Sequence, residues 1–323
     1  MIFHKSDNKI LKLGLGLAAL GRPGYINLGH GEDLHHDYDE EKMEAQTHAM
    51  LDAAYANGVR YFDVAQSYGK AELFLASWLK KHNHPDVVVG SKWGYYYTAD
   101  WAVDAENHEI KEHTLARLNQ QWPESKARLD PYLRIYQIHS ATFESGVLEN
   151  SEVLDRLGEI KAQGYAIGLS VSGESQPAII EAALKVKVDG KPLFDSVQAT
   201  YNILEQSCEE ALKKAHHLGV TTIIKEGVAN GRLTARNRAA HYFQNLANIA
   251  GKHKVGVDAI ALAYLLSKPF VSMVLSGAAT KDHLTSNLQA AEIELDMADI
   301  LILTNLFMPP KAYWQERGKL AWN

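Results

Sequence analysis

The chain has 323 residues, 46% hydrophobic and 22% charged, and its 33 basic against 39 acidic residues leave a formal charge of −6. That composition fits a globular protein and excludes a disordered chain, a collagen and a disulfide scaffold. No basic stripe interleaved with aromatics is present to grip a phosphate backbone, so nucleic acid is not an expected partner.

Residues 1–7 show no charged segment leading into an apolar one, so no signal peptide is expected. From there, short β-branched or apolar runs alternate with amphipathic segments of helical length. Strands are predicted at 12–17, 60–63, 87–92, 133–139, 166–171, 196–201, 221–225 and 271–276. Helices are predicted after them at 40–57, 71–81, 111–129, 147–163, 176–186, 209–218, 238–254 and 282–292, each supplying the crossover that parallel neighbours need. Gly58 and Gly219 stand where a left-handed residue would stop the first and sixth helices. The lone Cys208 closes no intrachain disulfide; it reads as a small buried hydrophobe in a reducing, cytoplasmic setting. The longest apolar stretch, residues 255–266, carries Gly256 and Asp258 and is too short for a membrane span. Residues 257–267 read as an extra buried helix. Residues 296–323, with Pro309, Pro310 and Trp314, are too apolar for a free tail and are expected to pack back as a helix and loop. No linker marks a boundary, so one domain over 1–323 is expected, with a core of about 10–292 and an extension at 293–323.

Eight strands and eight helices fit either a doubly wound sheet or a closed barrel. The run Gly14-Leu15-Gly16-Leu17-Ala18-Ala19 matches G-x-G-x-x-A, a weak dinucleotide fingerprint that must lead straight into a helix. Here Gly21-Arg22-Pro23-Gly24 breaks any helix, and the acid required about 20 residues later falls in a loop rich in glycine and histidine. The predicted fold is therefore α/β, a (β/α)8 TIM barrel with extra helices and a C-terminal tail.

In such a barrel, functional side chains gather at the C-terminal ends of the strands. Asp63 ends the second strand, Tyr68 lies in the loop beyond it, Lys92 ends the third and His139 the fourth. A tyrosine exchanges protons poorly at neutral pH unless a neighbour stabilises its phenolate. Lys92 would do so: an ammonium at ~4 Å and an effective dielectric of ~20 contributes roughly 4 kcal/mol, enough to draw the phenol pKa down. Asp63 would keep Lys92 charged and aimed, and His139 would orient a substrate oxygen. The four suit proton transfer at a carbonyl or alcohol oxygen.

The same stretch, Gly58-Val59-Arg60-Tyr61-Phe62-Asp63-Val64-Ala65-Gln66-Ser67-Tyr68-Gly69-Lys70-Ala71-Glu72, resembles the aldo-keto reductase signature G-x-R-x-x-D-T-A-x-x-Y-G-x-x-E, with Val64 in place of threonine. Val88-Val89-Gly90-Ser91-Lys92, Ile135-Tyr136-Gln137-Ile138-His139, residues 164–170, Gln198-Ala199-Thr200-Tyr201-Asn202 and Ser276-Gly277-Ala278 leading to Asn287 resemble further blocks of that family, in order. The resemblance implies a nicotinamide cofactor, NAD or NADP, bound in extended form. It implies hydride transfer to or from the carbonyl or alcohol carbon of an aldehyde, ketone or sugar, with Tyr68 as general acid/base.

The same resemblance implies cofactor contacts. Gly16, Leu17 and Asp63 would lie beside the nicotinamide end, and Ser170 and Gln198 would hold the carboxamide. Lys225 stands where many members stack an aromatic ring, and Gly227 and Arg232 would approach the pyrophosphate. The segment 226–234 resembles a bacterial and plant subgroup related to sugar dehydrogenases. Ser276, Gly277, Ala278 and His283 fall around the adenosine 2′ position, where many NADP-dependent members carry Lys-Ser and Arg, and Asn287 would meet adenine. Lys281 is the one neighbouring cation, and a guanidinium clamp is missing, so NAD or NADP is left open.

Trp93, Tyr95 and Tyr25 are expected to line the substrate pocket, while Tyr96, Tyr97 and Trp101 are read as packing. His30, His35 and His36 lie near Asp33 and Asp37, but a solvated lid is expected there rather than a metal site. Two other readings stand beside the enzyme: a nicotinamide-binding regulatory or sensor subunit with little turnover, and a metal-dependent barrel hydrolase using the loop histidines.

Overall fold

The computed structural model describes residues 2 and 11–323, so the stretch read for a signal peptide lies, apart from Ile2, outside the described residues. Eight parallel strands close into a barrel: β1 (Leu13–Gly16), β2 (Tyr61–Asp63), β3 (Val88–Trp93), β4 (Leu133–Ile138), β5 (Ala166–Ser170), β6 (Ser196–Thr200), β7 (Thr221–Lys225) and β8 (Met273–Ser276). Pairing of Leu13 with Val274 and Gly14 with Leu275 joins the last strand to the first. Helices α1 (Glu40–Ala56), α2 (Ala71–Lys81), α3 (Leu115–Leu129), α4 (Ser151–Ala162), α5 (Gln176–Ala183) and α6 (Glu209–His217) return the chain from strand to strand. The seventh crossover holds α7 (Phe243–His253) and the buried α8 (Val257–Leu266), and α9 (Lys281–Leu288) follows β8. Gly58 and Gly219 adopt φ of +89° and +80°, the left-handed geometry expected at these helix ends. No described helix is long and apolar enough to cross a membrane.

Side-chain caps start several helices later than the apolar period suggests. The Thr114 hydroxyl accepts from the Arg117 N–H at 3.1 Å and starts α3 at Leu115. The residues before it, Glu109–Lys111, instead pair antiparallel with Tyr95–Tyr97 in a hairpin over the barrel rim. Asn150 caps α4 in the same way, by accepting from the Val153 N–H. The tail folds back as two helices, α10 (Met297–Thr304) and α11 (Pro310–Arg317), the first held by a capping box between Asp296 and Asp299.

Alternation along each strand decides what faces the barrel axis. Tyr61, Ile135, Ile223, Met273 and Leu275 form their own apolar cluster inside the staves. Phe62, Tyr136, Ile224 and Val274, one residue out of phase, join the larger core shared with the helices. The inward phase carries on to Asp63, Lys92, Gln198 and Lys225, so strand pleat alone delivers polar side chains to the C-terminal rim. Ile223→Ala is expected to cost about 2–5 kcal/mol in urea unfolding, as a filled barrel core requires; a loss under about 1 kcal/mol would mean that the interior is loosely filled.

Candidate active site

A cavity of about 220 Å³ opens at the C-terminal rim, and Asp63 is its hub. Lys92 Nζ forms a short ion pair with Asp63 Oδ1 and donates to the Val64 carbonyl at 3.0 Å. The second carboxylate oxygen, Oδ2, accepts from Gln198 Nε2 at 2.8 Å and from the Tyr61 hydroxyl at 3.1 Å. Two buried charges are tolerated when their donors and acceptors find partners, and here the ammonium has two acceptors and the carboxylate three donors. Tyr61 reaches Asp63 because its ring lies against glycines. A Cβ at Gly14 would stand 2.8 Å from Tyr61 Cδ1, and one at Gly90 would stand 3.0 Å from Cζ.

Tyr68 lies above this pair, its ring centroid 4.8 Å from Lys92 Nζ and 5.4 Å from the His139 ring, which meets it edge-on. Burial, followed by the Asp63 charge, holds the Tyr68 phenol well above its ordinary pKa. This reverses the expected lowering by Lys92, whose ammonium faces the ring and is matched by Asp63 in direct contact. Burial and then Lys92 hold the His139 imidazole well below its usual range, so it is neutral at pH 7. Its Nδ1 lies 3.2 Å from the Ser67 hydroxyl. The His139 carbonyl accepts from His113 Nε2 at 2.8 Å, and burial brings His113 down to about 4.

The opposite wall is the loop after β7. Burial lowers Lys225 to about 8, and its Nζ donates to Ser172 Oγ and Thr200 Oγ1, each at 2.7 Å. Burial would raise Glu226, but Arg317 and Lys225 outweigh it and bring the carboxyl to about 2. Arg317 Nη2 donates to Glu226 Oε1 at 2.6 Å, and this pair clamps a residue whose φ of +56° is strained.

Residues 12–306 match the Aldo/keto reductase family. The chain belongs to that family. "Protein tas" of Escherichia coli (strain K12) is 25% identical over 314 aligned residues, covering 80% of this chain and 88% of that protein. "Probable aryl-alcohol dehydrogenase AAD4" of Saccharomyces cerevisiae is 25% identical over 295 residues, covering 81% and 87%. The solved structure of aldo-keto reductase AKR11C1 from Bacillus halodurans superposes with a TM-score of 0.68 at 22% identity, covering 94% of each chain, and shows the same fold.

Within this aldo/keto reductase, Gly16, Asp63, Tyr68, His139, Ser170, Gln198, Lys225, Gly227, Ser276 and Gly277 all line the first cavity. Asn27, Val228 and Gly277 are shared with a second compartment of about 470 Å³, which Ala278, His283 and Asn287 also line. Asn287 Nδ2 donates to Ser276 Oγ at 2.8 Å. Tyr25 lines the first cavity, and the Tyr95 ring lies 4.8 Å from that of His139.

Three expected contacts lie elsewhere. Trp93, placed in the substrate wall from sequence, is fully buried among the outer helices, because it follows the inward Lys92 by one residue and the pleat turns it away. Leu17 points outward with Leu13 and Leu15 for the same reason. Arg232, expected near a pyrophosphate, is buried under the tail, 4.2 Å from the Tyr313 ring, with Nε donating to the Ala229 carbonyl.

The Gly/His-rich loop is pinned at its start, while His35, His36 and Asp37 are exposed as expected of a solvated loop. His30 is buried, with burial lowering it to about 4, and Asp33 accepts from Arg236 Nη1 at 2.9 Å. Among the described residues no group of three or more His, Cys, Asp or Glu is placed to hold a metal. Cavity residues missed from sequence are Arg22, Glu109, Glu226, Arg317 and Trp322. Arg22 lies in a run that signals only a break in a helix, Glu226 follows the end of β7 directly and was within reach of the strand-end signal, and Glu109, Arg317 and Trp322 come from the rim hairpin and the tail.

Lys92→Met leaves the Asp63 carboxylate buried without its cation and is expected to lower stability by about 3–5 kcal/mol in urea unfolding. Asp63→Asn added to it should recover part of that loss; a double variant as unstable as the sum of the singles would show that the two side chains do not depend on each other.

Proposed function

We propose that this chain is an NAD-dependent oxidoreductase that moves a hydride between the nicotinamide and the carbonyl or alcohol carbon of an aldehyde, ketone or sugar. The observation that carries this reading is geometric: Tyr68 meets His139 edge-on and has the Lys92 ammonium 4.8 Å from its ring, and Tyr68, His139 and the Asp63 partner of Lys92 line one cavity.

The polar atoms present suit such a cofactor. Ser170 Oγ accepts from the Ser140 N–H at 2.8 Å and keeps its own hydrogen to donate. Gln198 spends its amide N–H on Asp63 and keeps its carbonyl free to accept. That donor and acceptor match a carboxamide. Asn230 Oδ1 is buried without a partner in a residue that lines the same cavity. When bound, nicotinamide supplies or takes up the hydride. We assign the Ser67 hydroxyl as donor to His139 Nδ1, which leaves Nε2–H to hold a substrate oxygen. Tyr68 gives that oxygen its proton in reduction and removes it in oxidation.

The second compartment supports NAD over NADP. Its lining includes the carboxylates of Asp33, Asp258 and Asp282. Arg236, its one guanidinium among the described residues, is already bound to Asp33 and to the Leu28 carbonyl at 2.6 Å. Lys281 is exposed and outside this lining. A 2′-phosphate would bring about −1.5 to −2 charges to carboxylates, whereas a free ribose hydroxyl can donate to one.

Two expected outcomes follow from these assignments. With NADH and a panel of 4-nitrobenzaldehyde, glyceraldehyde and D-xylose, Tyr68→Phe should lose turnover by about 10²–10⁴-fold while still quenching NADH fluorescence normally; turnover equal to wild type would remove Tyr68 from the mechanism. In fluorescence titrations without substrate, NADH should bind at least about tenfold tighter than NADPH, and Asp33→Ala should narrow that gap by freeing Arg236. Tighter binding of NADPH to the wild type would overturn the assignment to NAD.

A further inference from the structure

Besides Lys92, the Tyr68 ring has a second cation against it, an arginine that the proposed mechanism leaves unused. Arg22 is 2% exposed, and its Cζ lies 5.2 Å from the ring centroids of Tyr68 and Tyr25 and 5.0 Å from that of Trp322. Nη1 donates to Glu109 Oε2 at 3.0 Å and to the Ser67 carbonyl at 3.2 Å, while Nε is buried without a partner. The placement is built in. Lys70 donates its N–H to the Gly21 carbonyl at 2.7 Å, and a Cβ at Gly21 would come within 2.7 Å of Ala71 Cα, so the first loop packs directly on the start of α2 beside Tyr68.

The two cations on the ring differ in what holds them. Lys92 is matched by Asp63, whose oxygens are fully engaged from the barrel interior. Arg22 is matched by Glu109, which reaches it from the rim hairpin through a single oxygen and lies at the cavity wall, its side chain 23% exposed. A guanidinium buried among three aromatic faces is strongly felt by any negative charge formed there, because little water screens it.

We propose that Arg22 and Glu109 are positioning residues for the reaction, the guanidinium stabilising the Tyr68 phenolate as the proton leaves and the carboxylate holding and moderating that guanidinium. The inference rests on Tyr68 being the acid/base. The other titratable groups facing Tyr68 include Asp63, Lys92 and Tyr61 from the barrel floor, His139 from the end of β4, Glu226 from the loop after β7 and Tyr25 from the first loop. Of the groups that act on the phenol, Arg22 lowers its pKa, and Asp63, Glu109 and Glu226 raise it. The two halves of one ion pair therefore act on Tyr68 with opposite signs.

That opposition is the test. The probe is whichever carbonyl of the panel turns over with NADH, with its alcohol and NAD used for the reverse reaction, in wild type, Arg22→Met, Arg22→Lys, Glu109→Gln and Tyr68→Phe. Oxidation needs the phenolate, so its rate rises with pH. Arg22→Met should move that rise upward by about one pH unit and slow reduction about tenfold at neutral pH. Glu109→Gln should move it downward, and Arg22→Lys should bring it back toward the wild type. An ion pair that only braced the two loops would give both disrupting variants the same change or none, and that result, with Tyr68→Phe inactive, overturns the proposal. Should Arg22→Met fail to fold, a Glu109→Gln rise at or above the wild-type pH overturns it alone. Wild-type turnover in Tyr68→Phe, or no turnover by the wild type across the panel, defeats the acid/base reading and the role of Arg22 with it.

Discussion

The buried pair of Lys92 and Asp63 is the constraint around which this site is arranged. Moving an ammonium and a carboxylate out of water costs several kcal/mol each unless every lone pair and proton finds a partner. The barrel supplies partners from β2 itself and from the strand on its far side. Tyr61 comes from the same strand as Asp63, the Val64 carbonyl from the residue after it, and Gln198 from across the barrel. Each of these partners has its own requirement. Tyr61 needs the glycines at 14 and 90, and Gln198 needs the inward phase of β6. The pair thus ties the interior packing to the polar rim.

Above that rim, the walls come from segments distant in the chain. The Asn323 side chain accepts from the N–H groups of His30 and Gly31 at 2.8 and 3.1 Å and donates to the Asn27 carbonyl at 2.9 Å. Trp322 stacks on His108 at 3.8 Å, which joins the tail to the rim hairpin. Arg317 clamps Glu226 from α11. The tail is thereby a structural wall of the cavity and a cover for Arg22. Met297, Leu301 and Phe307 of the same tail are exposed and take no part in this wall's lining.

The eight strands and the closed barrel were legible because short β-branched or apolar runs alternate with amphipathic segments of helical length, and because Gly58 and Gly219 punctuate the joins. Asp63, Tyr68, Lys92 and His139 were legible because strand ends in a barrel converge. Trp93 and Leu17 were misplaced although the information was present: Lys92 faces inward, so Trp93 cannot. The hairpin of Tyr95–Tyr97 with Glu109–Lys111 was not legible, because its strands are three residues each, too short to show a period, and Lys111 also fits the start of the helix expected at 111–129. That omission also hid Glu109. Arg22 was hidden differently, since a Gly-Arg-Pro-Gly run signals a break in the helix and says nothing of what its side chain will cover. The largest change concerns Tyr68. A pairwise view predicts that Lys92 acidifies the phenol, whereas burial and the Asp63 carboxylate dominate once all the groups are in place.

That reversal bears on the direction of the proposed reaction. A phenol held well above its ordinary pKa keeps its proton at neutral pH, and a histidine held well below its range stays uncharged. On the proposed mechanism the site is therefore ready to reduce a carbonyl: the proton is on the acid, and a neutral imidazole N–H can hold the oxygen without competing for charge. Oxidation must first remove that proton, so it belongs to alkaline conditions. A more acidic Tyr68 would give its proton more readily in reduction and would reach the phenolate that oxidation needs at a lower pH. On this view Glu109 is more than the counter-ion of Arg22. By limiting how strongly the guanidinium stabilises phenolate, it keeps the proton on Tyr68 until a substrate oxygen is there to receive it.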